Sequence, residues 1–477
     1  MEFLNIVIAL AVVVLIFNFM IFIHELGHFW AARWRGLHVE KFYIWFGKPI
    51  WKKTIKGVEY GLGSIPLGGY VALPQMAPME AIEGGDGNLR QELPPIKPLD
   101  KIIVAFAGPL FSFLLAFVAA CGVWIFGKPA DTLWDTHVGY VKSDSPAERA
   151  GIQVGDDIKA VDGEPVERFI GGLDGFKEKI MLSRFDTATI TVERNGELLD
   201  LETNFTVEGT PWWRRRAMRE VGVTYSQEMT VDSILPESPA ERAGFEIGDT
   251  ILSVDNKKVY SIPQLSELLK EKEGGAISLL VQRGDKEMTL VSDAVIPLDK
   301  DTKAPEPDGR VMLGIGFDSP FDMSLVRPSP TQQVQEGVLL MYATLRSILS
   351  KDSNIKIQHL NGPVGIGTAI FGFIRTDEAV RRVFWFMVII NINLAIMNLL
   401  PLPVLDGGHI VLAIAEKLRG QPMKLRLLEF IQLGFVAVLF SLFIYVTSKD
   451  VTDLIPRKKD AEAPWGVNGY FWPSDSA

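Results

Sequence analysis

The chain has 477 residues, 58 of them acidic and 48 basic, for a net charge of −10. That balance, with no Lys/Arg-rich stripe carrying interleaved aromatics, argues against nucleic acid as a partner. Cys121 is the only cysteine, which excludes an intramolecular disulfide and a cysteine-based metal site or nucleophile, and the length is too great for a single core.

The first element is an apolar run from Phe3 to Ile23 that continues into His24-Glu25-Leu26-Gly27-His28. On a helix, residues four apart share a face, so His24 and His28 reach one Zn²⁺ while Glu25 polarises a metal-bound water. Ionisable side chains at the end of a membrane span are costly in lipid and point to function. The run has no basic residue before it and no small-residue cleavage pattern after it, so it is expected to stay as a span rather than leave as a signal peptide.

The stretch that follows carries Arg33, Arg35, Lys41, Lys48, Lys52, Lys53, Lys56, Arg90, Lys97 and Lys101. By the positive-inside rule this side is cytoplasmic. A second apolar run, Ile102 to Phe126, returns the chain to the outer side, where everything from about Lys128 to Arg375 is expected. Arg381, Arg382 and the run Arg457 to Lys459 go against the rule locally.

The outer region contains a repeat. Ser145-Pro146-Ala147-Glu148-Arg149-Ala150-Gly151, followed by Gly155-Asp156-Asp157-Ile158, recurs as Ser238-Pro239-Ala240-Glu241-Arg242-Ala243-Gly244, followed by Gly248-Asp249-Thr250-Ile251. Each copy reads as a short strand, a capped helical turn, a Gly-Asp turn and a further strand, and resembles the circularly permuted PDZ domain of bacteria. PDZ domains capture peptide C-termini by adding a strand to a sheet edge. The candidate loops lie near Gly139-Tyr140-Val141 and Asp232-Ser233-Ile234; the alternative is a pair that serves only as a bulky sieve. Trp212-Trp213-Arg214-Arg215-Arg216, between the copies, fits a membrane surface or a solvated turn and is assigned no function.

Pro305 to Pro330 is rich in proline and glycine and reads as a linker. Thr331 to Leu349 has helical apolar spacing, which suits a helix lying on the outer leaflet or one packed beneath the PDZ pair. A third span from Val383 passes Asn391, Asn393 and Asn398 into Leu399-Leu400-Pro401-Leu402-Pro403-Val404-Leu405-Asp406-Gly407-Gly408-His409. A catalytic zinc takes three protein ligands and keeps one open position. Asp406 is the expected third ligand, at the end of this span; His409 competes with it and is placed outside the ligand set. Phe430 to Val446 is the fourth span, and the tail from Lys449 carries Pro464, Trp465, Phe471 and Trp472.

The H-E-x-x-H span, the tandem repeat and the stretch Asn398 to Gly408, together with Phe46-Gly47-Lys48, Ile65-Pro66-Leu67-Gly68-Gly69-Tyr70-Val71 and Asn361-Gly362-Pro363-Val364-Gly365-Ile366, closely resemble the site-2 intramembrane metalloproteases. The resemblance covers nearly the whole chain in order. It implies zinc on His24, His28 and Asp406, and Glu25 as the general base. It also implies Asn398 and Asn393 as contacts to the substrate backbone, and a membrane-associated β-hairpin, including Gly68, Gly69 and Tyr70, that pairs with the unwound substrate. The stretch Ala72 to Glu80 departs from the usual pattern.

The expected fold is a multi-pass α-helical membrane protein with four spans, a membrane-associated β-hairpin and two inserted extracytoplasmic PDZ-like α+β domains. Its layout is a first span at 1–32, a cytoplasmic loop at 33–100 with the hairpin at about 58–73, and a second span at 101–127. PDZ-like copies follow at 128–210 and 220–297, then a linker and amphipathic region at 298–375. The third span is at 376–408, a cytoplasmic loop at 409–426, the fourth span at 427–448 and an extracytoplasmic tail at 449–477. The expected function is zinc-dependent cleavage of transmembrane segments, in the bacterial cytoplasmic membrane and near its cytoplasmic face. Expected partners are the lipid bilayer and single-pass proteins already trimmed outside, with anti-sigma factors and remnant signal peptides as examples. A PDZ-bearing membrane scaffold or receptor with a structural or inactive metal site is the competing class, but His24, Glu25, His28 and Asp406 are all intact, and a structural site would have no use for Glu25. A zinc transporter would need ionisable residues along several spans, and the apolar runs Ile102 to Phe126 and Phe430 to Val446 carry no acidic or basic residue.

Overall fold

The computed structural model describes residues 2–76, 93–94, 96–272, 275–299, 311–420, 425–455 and 470–471. Ala77–Glu80, Arg90, 305–310, Arg457–Lys459, Pro464, Trp465 and Trp472 lie outside the described residues. Two units emerge: one is Met1–Pro129, Ser324–Leu345 and Leu360–Val451, the other Ala130–Met323, Arg346–His359 and Thr452–Ala477.

In the first unit, α1 (Glu2–Arg35) is followed by β1 (Lys41–Phe46), β2 (Trp51–Ile55), β3 (Val58–Leu62) and β4 (Ile65–Ala72). Then come α2 (Pro98–Phe126), α3 (Pro330–Leu349), α4 (Pro363–Ile374), α5 (Ala379–Asn398), α6 (Asp406–Arg419) and α7 (Leu425–Asp453). Among the described residues four helices are long and apolar enough to cross a membrane: Val7–Arg35, Pro98–Phe126, Ala379–Asn398 and Phe430–Asp453. α2 is central to their packing. Its Ala116, Ala119 and Ala120 give a flat surface on which Val388 and Ile392 of α5 are buried, the small-residue packing that lets helices approach where lipid offers no hydrophobic drive. Val334 and Val338 of α3 join this cluster, and Gln333 Nε2 donates to the Ala120 carbonyl at 3.1 Å. Val334 and Val338 of the apolar stripe of α3 are thus spent on α2 and α5, whereas Leu339, Tyr342 and Leu349 of the same helix are exposed. Asp450 of α7 accepts from the amides of Gly362 and Gly365 at 3.3 and 2.8 Å, fixing the start of α4.

The expected hairpin at about 58–73 is not one. The sheet order is β2-β3-β1-β4, so β3 and β4, though adjacent in sequence, flank β1: β3 pairs with it in parallel and β4 antiparallel. The reason lies in the two-residue connection. Gly63 passes so close over β1 that a Cβ there would sit 2.3 Å from the Phe46 carbonyl oxygen. Only glycine permits that crossing, and it delivers β4 to the far side of β1 as an edge strand.

The third span also differs from expectation. α5 stops at Asn398, and Asp406, placed at the end of a span running to 408, instead opens α6. The expected loop at 409–426 is helical through Arg419. Prolines 401 and 403 bar a continuous helix, and the chain turns through hydrogen bonds from Leu402 N to Leu400 O and from Leu405 N to Leu402 O. α7 extends beyond the expected 427–448 at both ends.

In the second unit the repeat is realised twice. Ser145 and Ser238 cap their helical turns by accepting from the amides of Glu148 and Glu241, and Gly151 and Gly244 end those turns in the left-handed region. Buried Asp156 and Asp249 pair with Arg194 and Arg283. Burial alone would raise the pKa of Asp249; the Arg283 guanidinium and the Glu246 amide outweigh it and hold the carboxyl below its usual range.

The copies extend further than the motifs suggest. Strand Val223–Tyr225 pairs with Val138–Val141, and Ile315–Phe317 pairs with Val231–Ile234. Residues near 220–225 thus complete the first copy rather than begin the second, and the second copy ends at 317, not 297. Residues 128–129 pair with Leu325–Val326 in the first unit instead of opening the first copy. The ends of the two copies were misread because each closing strand is only a few residues long and pairs far back along the chain. In the tail, Tyr470–Phe471 pairs with Leu298–Asp299.

Candidate metal centre

Every residue of the site belongs to the first unit. His24 and His28, one turn apart on α1, turn their rings to the same side, with Nε2 atoms 3.3 Å apart. Asp406, first residue of α6, completes a triangle: its two carboxylate oxygens lie 3.3 Å from His24 Nε2 and 3.3 Å from His28 Nε2. Among the described residues this is the one group of three or more such side chains close enough to hold a metal.

Local sequence explains how these side chains meet. α1 and α2 touch at glycines: a Cβ on Gly27 would lie 2.4 Å from the Ala107 carbonyl oxygen, and one on Gly108 would lie 2.2 Å from His28 Nε2. Gly407 and Gly408 let the start of α6 fold back on the broken segment, since Cβ atoms there would meet the carbonyls of Leu399 and Leu402 at 2.2 and 2.1 Å. Three turns along α6, Glu416 accepts from Lys101 of α2 at 2.6 Å, holding the helix that carries Asp406. A carboxylate at a helix N-terminus is also favoured by the backbone dipole. The far ring nitrogens are held by α2: His28 Nδ1 lies 2.8 Å from the Val104 carbonyl and His24 Nδ1 lies 3.0 Å from Ser112 Oγ.

The donor set suits zinc. Tetrahedral Zn²⁺ with bonds of about 2.0–2.1 Å to nitrogen and oxygen places its donors about 3.3–3.4 Å apart, close to the 3.3 Å between the two Nε2 atoms and from each Nε2 to one Asp406 oxygen. Two imidazoles and a carboxylate also leave one tetrahedral position open.

The triangle borders a cavity of about 320 Å³ whose lining includes Ile21, Glu25, Gly68, Gly69, Leu394, Asn398 and His409. Asn398 Nδ2 lies 3.4 Å from His24 Nε2. Gly69 stands on β4 next to Glu25, with its Cβ position 3.5 Å from Glu25 Cγ. The other two expected residues are not in the lining. Tyr70, pointing to the opposite face of β4, stacks on Phe46 at 6.0 Å, and Asn393 gives its place in the lining to Leu394. His409 is in the cavity wall but outside the donor triangle. Ser112, Val104 and Gly108 were not singled out from the sequence. A lone serine in an apolar span was a usable signal for the first, but its target depends on how α1 packs on α2.

The model of Peptidase family M50 matches residues 12–442. The regulator of sigma E protease of Haemophilus influenzae is 27% identical over 459 residues, covering 90% of this chain and 96% of its own. The regulator of sigma-E protease RseP of Escherichia coli is 29% identical, covering 86% and 91%. A Vibrio cholerae relative named as a zinc metalloprotease is 29% identical, covering 91% and 96%.

Proposed function

The chain belongs to peptidase family M50 and is a zinc metalloprotease, and from that premise we propose that it cuts transmembrane segments of single-pass membrane proteins at a zinc held by His24, His28 and Asp406. The observation that carries this reading is where the donor triangle stands: His24 and His28 lie within a helix long and apolar enough to span a membrane, and Asn398 ends another. Held by these three side chains, zinc would supply a Lewis acid for the hydrolysis.

The protein's own groups do the rest. Glu25, on the cavity wall, takes a proton from the attacking water and passes it to the nitrogen of the leaving amine. Asn398 offers its side-chain amide to the substrate backbone. A helical segment hides its peptide groups in its own hydrogen bonds, so it must be unwound and given other partners before it can be cut. β4 provides them. Among the described residues its one neighbouring strand is β1, and Gly68 and Gly69 bring it against the cavity without side chains in the way. A substrate strand added to this edge would lie beside Glu25.

The basic residues after α1 support an orientation with the active site towards the cytoplasmic face of a bacterial inner membrane and the two PDZ-like copies outside. Substrates already shortened on the outer side pass the copies and release a cytoplasmic fragment, such as an anti-sigma factor domain; remnant signal peptides are a second class.

The β4 assignment is tested with Gly69→Val. The added side chain enters beside Glu25 and displaces the substrate by about 1 Å, and the expected loss in cleavage of a model transmembrane substrate is on the order of 100-fold, with zinc content unchanged. Full activity in this variant, measured in detergent or proteoliposomes, would remove β4 from the substrate path.

A further inference from the structure

We propose that Ser112 is a positioning residue for the metal centre: its hydroxyl holds His24 in the tautomer that presents Nε2 to zinc, as the Val104 carbonyl does for His28. The inference rests on the reading of His24, His28 and Asp406 as zinc ligands.

A neutral imidazole carries one N–H and one lone pair. Nε2 can bind a metal only when the proton sits on Nδ1, so whatever faces Nδ1 decides whether the ligand is ready. For His28 the partner is a carbonyl oxygen at 2.8 Å, which can only accept, and Nδ1 must donate. For His24 the partner is Ser112 Oγ at 3.0 Å, on a residue with no exposed surface. With zinc on Nε2 the ring proton sits on Nδ1, and the serine hydroxyl, which can donate or accept, then accepts from it.

Val104, Gly108 and Ser112 follow one another at four-residue intervals on α2 and so form a single stripe towards α1. The stripe reads acceptor, gap, acceptor. Gly108 supplies the gap, since any side chain there would strike the His28 ring, and the two flanking positions each face one histidine. Nothing in the H-E-x-x-H spelling fixes the tautomers; a second helix must do it. Outer partners of this kind are typically worth about 10–100-fold in metal affinity.

The test uses the full-length protein in detergent. Ser112→Ala removes the acceptor, and its zinc affinity, measured by competition with a chromogenic chelator, is expected to fall by about 10–100-fold. Cleavage should fall at limiting zinc and recover when zinc is raised, with KM unchanged. In ¹⁵N-histidine-labelled apoprotein the His24 ring nitrogens should shift towards the Nε2–H tautomer. Ser112→Thr, which keeps the hydroxyl, should restore both properties. Ser112→Cys keeps the volume with a weak acceptor; it should behave like the alanine variant and decides the matter if that one does not fold. Wild-type zinc affinity together with unchanged His24 shifts in folded Ser112→Ala or Ser112→Cys would overturn the proposal. His24→Ala separates the two layers. If it keeps zinc, the reading of the ligands fails; if it loses zinc while Ser112→Ala does not, the role of Ser112 alone fails.

Discussion

Glu25→Gln is expected to keep zinc at full occupancy and to slow cleavage of a transmembrane substrate by about 10²–10⁴-fold, the usual share of a general acid–base group. That range corresponds to about 3–5 kcal/mol of barrier. Glutamine has nearly the same volume and fills the same part of the cavity wall beside Gly69, so packing and substrate entry are left alone. What it lacks is a site for the proton. The loss should therefore appear in kcat, with KM close to that of the parent enzyme. Metal analysis and single-turnover kinetics on the same preparation separate the effects. Equal turnover in the variant would show that Glu25 does not move the proton, and would return the scaffold class to consideration.

The second large effect is expected at Asp406. Asp406→Ala deletes one corner of a triangle whose other corners are 3.3 Å away. It leaves two imidazoles to hold the metal, and outer-partner losses of about 10–100-fold set the lower bound on the cost. Purified Asp406→Ala should carry little zinc and show no detectable cleavage. His409→Ala, one turn further along α6, should retain zinc, because that ring borders the cavity without entering the triangle. The opposite pattern, with zinc kept by the first variant and lost by the second, would exchange the two residues in the ligand set.

The parts of this site legible in the sequence were those whose geometry is local. His24 and His28 need only one helical turn between them to converge, and Asp406 stood out as a carboxylate between a proline-rich break and two glycines. Its setting was less legible. Asp406 begins a helix instead of ending a span, because Pro401 and Pro403 stop α5 early and the chain re-enters helix at Asp406. The hairpin expected at about 58–73 was rightly placed in strands, yet the sequence says nothing of their partners, and Gly63 carries the chain across β1. Tyr70 was grouped with Gly68 and Gly69 by position in a motif, although adjacent residues of a strand face opposite ways. The closing strands of the two repeats escaped notice because each is only a few residues long and pairs far back along the chain. Ser112 was legible only as a lone hydroxyl in an apolar helix, which acquires meaning once its neighbour is known.

The central claim is that a peptide bond inside a membrane segment is cut at this centre. It is tested most directly by mass spectrometry of the products formed in proteoliposomes from a single-pass substrate lacking its outer domain. The expected result is one principal cut within the apolar segment, towards its cytoplasmic end, that disappears with Glu25→Gln and with zinc chelation. Cuts confined to the soluble flanks of the substrate, or cleavage that persists in both controls, would contradict it.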